Sequence, residues 1–340
     1  MKVLCIGESL LEITCPVNDA IGEGKKLRLE EKFECGSGHA GNVAYLLGKW
    51  GVETYIASMM GGDDAADKIK KEFETIGVKT DYVETSYDKS TGQKLVLINK
   101  TSKEKTILDI ISNANLKKYS FSIEPDLIIT DGNDFNATVS ACDKYSTAKS
   151  FLLASRTNNE ILELCKYVNY IIFNKDTSEQ ITSMKIDFND SSSLVNIYNR
   201  LKQKYNNAEI IITLGERGCV YSINSQVKIM PTVRTEVVDT NGAGDVFAGS
   251  FAYGIGRDFG LEKAIAYATI AASFSTTKMT SRMSIPTITE VSTYYDNKFG
   301  AINNPNNQNS ETNTNNLNST NMNTTEESSA QNNNVNTQNA

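Results

Sequence analysis

The chain has 340 residues, enough for one large or two average domains and a sizeable buried core. Its formal charge of −7, with acids and bases interspersed along most of its length, provides no broad basic field, so neither nucleic acid nor a membrane is an expected partner. Six cysteines lie far apart without a C-x-x-C pair, and His39 is the single histidine, which argues against a disulfide framework or a zinc site.

The N-terminus is a short apolar stretch closed by Gly7 and Glu8, and no later span approaches ~20 apolar residues, so a soluble, cytoplasmic protein is expected. Apolar, β-rich runs at residues 3–6, 55–59, 127–130, 151–154, 170–173 and 210–214 alternate with helical patterns. That alternation predicts βαβ units: an α/β fold with a mostly parallel sheet covered by helices on both faces. Two stretches, about 11–35 and 92–110, break the rhythm. In the second, the runs 95–98 and 106–108 flank a polar turn, and together the two stretches predict a small antiparallel insertion outside the main sheet, a lid.

Glu12 follows the first strand closely, where a carboxylate is placed to accept hydrogen bonds from two neighbouring hydroxyls. Gly36-Ser37-Gly38-His39-Ala40-Gly41-Asn42 then opens an Ala/Leu-rich helix. Its small residues allow backbone amides close to a ligand, and Asn42 offers both a donor and an acceptor to a polyol. His39, alone beside a glycine turn, reads as incidental. Asn174 opens Asn174-Lys175-Asp176-Thr177 after one strand, and Thr213-Leu214-Gly215-Glu216-Arg217-Gly218 follows another, a position suited to a ligand crevice.

The most informative segment is Asp239-Thr240-Asn241-Gly242-Ala243-Gly244-Asp245. It reads as the end of an extended run, a small-residue loop and the start of a helix. Backbone N–H groups of Asn241, Gly242, Ala243 and Gly244 would converge at the positive end of the helix dipole and form an anion hole. Asp245, at the helix start, could accept a proton from an attacking hydroxyl. There is no G-x-x-x-x-G-K-[ST] loop, and Phe247 stands where a third glycine would complete G-x-G-x-x-G. Beyond residue 300, 16 of the last 40 residues are Asn and none is Lys or Arg, a composition that predicts a disordered tail over 301–340.

Asp239-Thr240-Asn241-Gly242-Ala243-Gly244-Asp245-Val246-Phe247 resembles the C-terminal signature D-T-x-G-A-G-D-x-F of the ribokinase/PfkB family of sugar and nucleoside kinases. Residues 36–51 are similar to the N-terminal signature of that family, with Ser37 in place of the first glycine of its pair. Gly7-Glu8-Ser9-Leu10-Leu11-Glu12 resembles the opening of its sugar-kinase branch, and Ser284-Ile285-Pro286-Thr287 its late S-I-P-T, although the glycine usual before that element is missing from 276–283.

The resemblance covers most of residues 1–300 and implies a ribokinase-like three-layer αβα domain with a β lid. It further implies Asp245 as catalytic base, and Glu12, Gly38, Asn42 and Asp245 as sugar-binding residues. ATP would lie across Asn174, Thr213, Gly215, Gly218 and Gly244. The implied cofactors are ATP and Mg²⁺, with K⁺ near Asp239 and Thr240, and relatives suggest a homodimer formed through the lid. Thr177 stands where the family has a metal-organising glutamate.

The acceptor expected is a ketose, pentose or sugar acid. A nucleoside kinase, with an aromatic platform drawn from Phe33, Tyr45 or Tyr119, and a non-turnover regulator that binds nucleotide and sugar are the alternatives.

Overall fold

The computed structural model describes residues 1–18, 22–110, 112 and 114–300; the tail expected at 301–340 lies outside the described residues. The chain opens with β1 (Lys2–Ile6), β2 (Leu10–Val17), β3 (Phe33–Ser37) and α1 (His39–Lys49), followed by β4 (Glu53–Gly61), α2 (Asp64–Thr75) and β5 (Lys79–Ser86). The hairpin of β6 (Gln93–Asn99) and β7 (Lys105–Ile110) comes next. A βα series then runs through β8 (Leu127–Thr130), α3 (Phe135–Lys144), β9 (Lys149–Ala154), α4 (Asn159–Leu164), β10 (Tyr170–Asn174), α5 (Lys175–Thr182), α6 (Ser191–Lys204) and β11 (Glu209–Thr213). A second hairpin, β12 (Cys219–Ile223) and β13 (Gln226–Met230), precedes α7 (Ala243–Gly256), α8 (Leu261–Ser275) and α9 (Ile288–Phe299).

Nine strands form one sheet in the order β13-β12-β11-β10-β9-β8-β1-β4-β5. Every pairing from β11 to β5 is parallel, and the β12–β13 hairpin forms an antiparallel edge. The apolar runs read from sequence are its central strands, which need apolar side chains on both faces because helices cover both. Leu152 and Ala154 of β9 meet Ile161 of α4 in one core, with Ile197 and Leu201 of α6. Phe151, beside them in sequence, points the other way, stacking on Tyr170 at 4.6 Å and meeting Phe251 of α7 edge-on at 6.0 Å. The result is the three-layer αβα arrangement.

The second sheet has the order β3-β2-β6-β7. It differs from the all-antiparallel insertion expected, because β2 and β6 pair in parallel. The reason is topological: each leaves the carboxyl end of a parallel strand of the main sheet, β1 and β5, and so both set out in the same direction. The polar turn between β6 and β7 is closed by Asn99, whose Oδ1 accepts from the N–H groups of Thr101 and Ser102, both at 2.9 Å. Residues Met1–Tyr295 form one compact unit. Among the described residues no helix is long and apolar enough to cross a membrane.

Candidate active site

Glu8, Asn174 and Thr213, noted in the sequence, lie at the carboxyl ends of parallel strands, where α/β sheets leave a crevice. Glu8 follows β1, Asp131 follows β8 and Ser155 follows β9, while Asn174 and Thr213 end β10 and β11 and pair in register. Above this edge the N-termini of α1 and α7 come together.

Gly242 is the N-cap of α7, with φ +78, and no side chain caps this end. A β-carbon there would lie 2.7 Å from Cβ of Ser281 and would force a left-handed conformation on an L side chain. Ala243 N–H bonds back to Thr240 O at 3.4 Å and Val246 N–H to Gly242 O at 2.9 Å, while the amides of Gly244 and Asp245 between them lie in the first turn and the space beside Gly244 is open. The loop therefore presents N–H groups at the positive end of a helix. The stretch before it differs from expectation: residues 231–240 form no strand, and the N–H groups of Val238 and Asp239 instead both donate to Thr276 O at the end of α8. Gly242→Ala is expected to destabilise the protein by about 1–2 kcal/mol or more, a cost readable as a lowered thermal midpoint.

Asp245 is 5 % exposed. Its Oδ2 accepts from Nδ2 of Asn42 at 2.7 Å, and its Oδ1 faces Nδ1 of His39 at 2.6 Å. The Asp245 carboxylate raises the His39 imidazole to about 9 against the opposing effect of burial, with Asp131 adding to the rise. Burial, and then the neighbouring Asp131, push the Glu8 carboxyl upward. Asp131 itself is buried, and its oxygens accept from the N–H groups of Glu8, Ala40 and Asn133. It thus ties the end of β1 to the first turn of α1. Gly38, N-cap of α1 with φ +92, has Glu8 O where a β-carbon would stand, so only glycine allows that approach.

Glu12 sits differently from the expectation that it meets substrate hydroxyls. It is fully buried, and its oxygens accept from Thr14 Oγ1, Ser37 Oγ, Asn241 Nδ2, Ser281 Oγ and Ser281 N–H at 2.7–3.2 Å. The carboxylate binds the root of the second sheet to the anion-hole loop and to the segment after α8. Ser37 needs no glycine-like backbone, since the positive φ falls at Gly38, and its hydroxyl supplies one of these donors. The glycine missing from 276–283 has a substitute in Thr280, at φ +70. Its N–H donates to Asp239 Oδ2 at 2.9 Å and its hydroxyl accepts from Met283 N–H.

Asp239 uses its other oxygen to accept from Asn241 N–H at 2.8 Å, and Lys105 of β7 donates to Thr240 Oγ1 at 3.2 Å. The side chains of both residues expected near K⁺ are thus engaged in bracing the loop. Among the described residues no group of three or more His, Cys, Asp or Glu side chains is arranged to hold a metal ion. Asn174 Oδ1 accepts from Thr177 N–H at 2.7 Å and caps α5, so the oxygen expected to help organise a metal is engaged within the chain. Thr213 Oγ1 donates to Phe173 O, and the turn after it, with Gly215 facing open space, is closed by Leu214 N–H to Gly218 O at 2.7 Å.

Arg282 was not visible as a site residue in the sequence. It is 2 % exposed, pairs with Glu72 at 2.7 Å and lies over the rings of Phe73 and Tyr45 at 4.5 and 5.1 Å. Its Nε donates to Asn42 Oδ1 at 3.4 Å, which orients the amide so that Nδ2 faces Asp245. Tyr45, named above for a nucleobase platform, is therefore engaged with Arg282. Phe33 starts β3, and Tyr119 is exposed beside Ser140.

The chain is 25% identical over 311 residues to deoxyribokinase of Salmonella typhi, an alignment covering 86% of this chain and 98% of that one. It is 28% identical over 251 residues to the bifunctional protein HldE of Aliarcobacter butzleri; this covers 69% of the chain but spans only about half, 52%, of that relative. The structure of Arabidopsis thaliana ribokinase complexed with ribose and ATP shares the fold, with a TM-score of 0.72 at 18% identity over 86% of this chain and 97% of that one. The profile of the pfkB family of carbohydrate kinases matches residues 1–288, and the chain belongs to that family.

Proposed function

We propose that the protein transfers the γ-phosphoryl group of ATP to a hydroxyl of a small, unphosphorylated sugar or sugar acid. The observation that carries this reading is the junction of two helix N-termini. Asp245, buried and bonded to Asn42, stands at the amide cradle of residues 242–244; the Asn241 N–H, expected in that cradle, is taken by Asp239. A phosphoryl group in transfer needs its charge held, and the attacking hydroxyl needs an acceptor for its proton within reach of the same point.

MgATP supplies the phosphoryl group and the metal charge that neutralises its phosphates. In this reading Thr213, Gly215 and Gly218 border the nucleotide, the amides of residues 242–244 receive the γ-phosphate, and Asp245 takes the hydroxyl proton. Asn42 and the backbone at Gly38 orient the acceptor. Glu12 holds Asn241 and Ser281 in place beneath the loop without touching the sugar.

Deoxyribokinase, aligned over nearly its whole length, and the ribose-bound neighbour direct the search to pentoses first. The decisive measurement is ADP release, coupled to a spectrophotometric readout, across pentoses, deoxypentoses, ketoses, sugar acids and nucleosides. Release well above the sugar-free rate is expected with one sugar. Release with nucleosides alone would replace this reading by a nucleoside kinase. Nucleotide binding without release on any acceptor would replace it by a regulator.

A further inference from the structure

The two partners of Asp245 are held very unequally. Asn42 is 2 % exposed and enclosed between Ser37 Oγ and the guanidinium of Arg282, both at 3.4 Å, Arg282 being itself buried and paired with Glu72. The His39 side chain keeps 36 % of its surface exposed, and its second ring nitrogen has only a 3.4 Å contact with Ser155 Oγ. The Oδ2 side of the carboxylate is therefore closed by a buried partner, and the Oδ1 side by a partly exposed one. Oδ1, where His39 stands, is the side on which an exchange of partners needs the least rearrangement.

We propose that His39 is a positioning residue for Asp245: its ring holds Oδ1 in the free protein and yields that place to the acceptor hydroxyl, so that acceptor binding frees the base. This rests on the reading of Asp245 as the base. The groups facing the ring come from several elements. Asp245 lies on α7, Asp131 after β8, and Glu8 after β1, while Lys94 on β6 is the opposing cation, with Arg156 after β9 acting on Glu8. Acids prevail around the ring, so the free protein carries an imidazolium up to about pH 9.

Exchange of the imidazolium for a neutral hydroxyl takes the ring away from the Asp245 carboxylate whose charge holds its proton, and the imidazole then returns toward its ordinary range near 6.5. Acceptor binding should thus release a proton between these limits. By linkage, the apparent affinity for the acceptor rises with pH through that window and levels off above about 9, where the ring is neutral in both states. Between pH 7 and 9 the acceptor KM should fall roughly tenfold or more, since binding that expels one proton strengthens by about a factor of ten for each step of one in pH.

Because His39 is the single histidine, its ring Cε1–H signal in protein lacking a polyhistidine tag can be followed without assignment. The expected result is a titration midpoint far above 6.5 in the wild type, a return to the ordinary range in Asp245→Asn, and a downward shift when the acceptor identified by ADP release is added. His39→Gln, which keeps a donor without the charge, should show an acceptor KM that no longer varies over pH 7–9. An ordinary midpoint in the wild type, a midpoint unchanged by Asp245→Asn, a signal unmoved by acceptor, or a persisting KM slope in His39→Gln would each overturn the proposal. The free-protein titration needs no turnover, so a coupled His39–Asp245 pair in a protein that releases no ADP with any acceptor would overturn the kinase reading, and the exchange with an acceptor along with it, while the pairing itself would stand. An ordinary His39 in an active kinase that Asp245→Asn abolishes would count against this inference alone.

Discussion

Asp245→Asn is expected to lower kcat by about 10²-fold or more, the scale on which a positioned general base contributes. The substitution preserves volume, and the new side-chain oxygen can still accept from Nδ2 of the buried Asn42, so the junction of α1 and α7 should survive. What disappears is the carboxylate able to take a proton beside the amide cradle. The measurement is kcat by coupled ADP release, with the thermal midpoint as a check that the fold is retained. Full activity in a folded variant would remove Asp245 from the role proposed for it.

Glu12→Ala should act in the opposite way, on stability before chemistry. It removes a buried carboxylate that accepts from five donors, leaving the hydroxyls of Thr14, Ser37 and Ser281, the Ser281 N–H and the amide of Asn241 without that partner. A buried donor left unsatisfied costs about 1–3 kcal/mol, and several lose their acceptor here. Denaturant unfolding should therefore show a clear loss, and kcat should fall as Asn241 loses its anchor. A residue that bound sugar hydroxyls directly would behave otherwise, raising the acceptor KM while leaving the denaturation midpoint in place. Glu12→Gln sharpens the contrast: its amide nitrogen would face Asn241 Nδ2 or a hydroxyl donor, so a milder loss of stability is expected with little change in acceptor KM.

Local chemistry explains which parts of this site the sequence made legible. The turn is built from consecutive residues, with a glycine that needs positive φ and a helix that begins one residue later, so a loop leading into a helix was readable from seven letters, while the engagement of Asn241 N–H by Asp239 was not. The central strands were legible for a similar reason, since burial on both faces demands uninterrupted apolar runs. β5 gave little signal because it is an edge strand with mostly half-buried residues, and β13 because none of its residues is buried. His39 read as incidental because its partner is 206 positions away. Glu12 read as an open acid because the groups that bury it arrive from Asn241 and Ser281, both more than two hundred residues later. Arg282 gave no signal at all, as nothing near it in sequence announces Glu72 or Asn42.

The two attachments of the second sheet to the phosphate loop are of very different strength, and this has a mechanical consequence. Near the root of β2, Glu12 is joined to Asn241 and Ser281 by a buried network. On β7, Lys105 meets Thr240 through one exposed hydrogen bond of 3.2 Å. The loop is therefore braced by the buried attachment and only touched by the exposed one: losing the Lys105 contact would leave the Glu12 network, and with it the position of Asn241, in place, while β3 stays tied to α2 by Glu34–Lys68 and Gly36–Glu72.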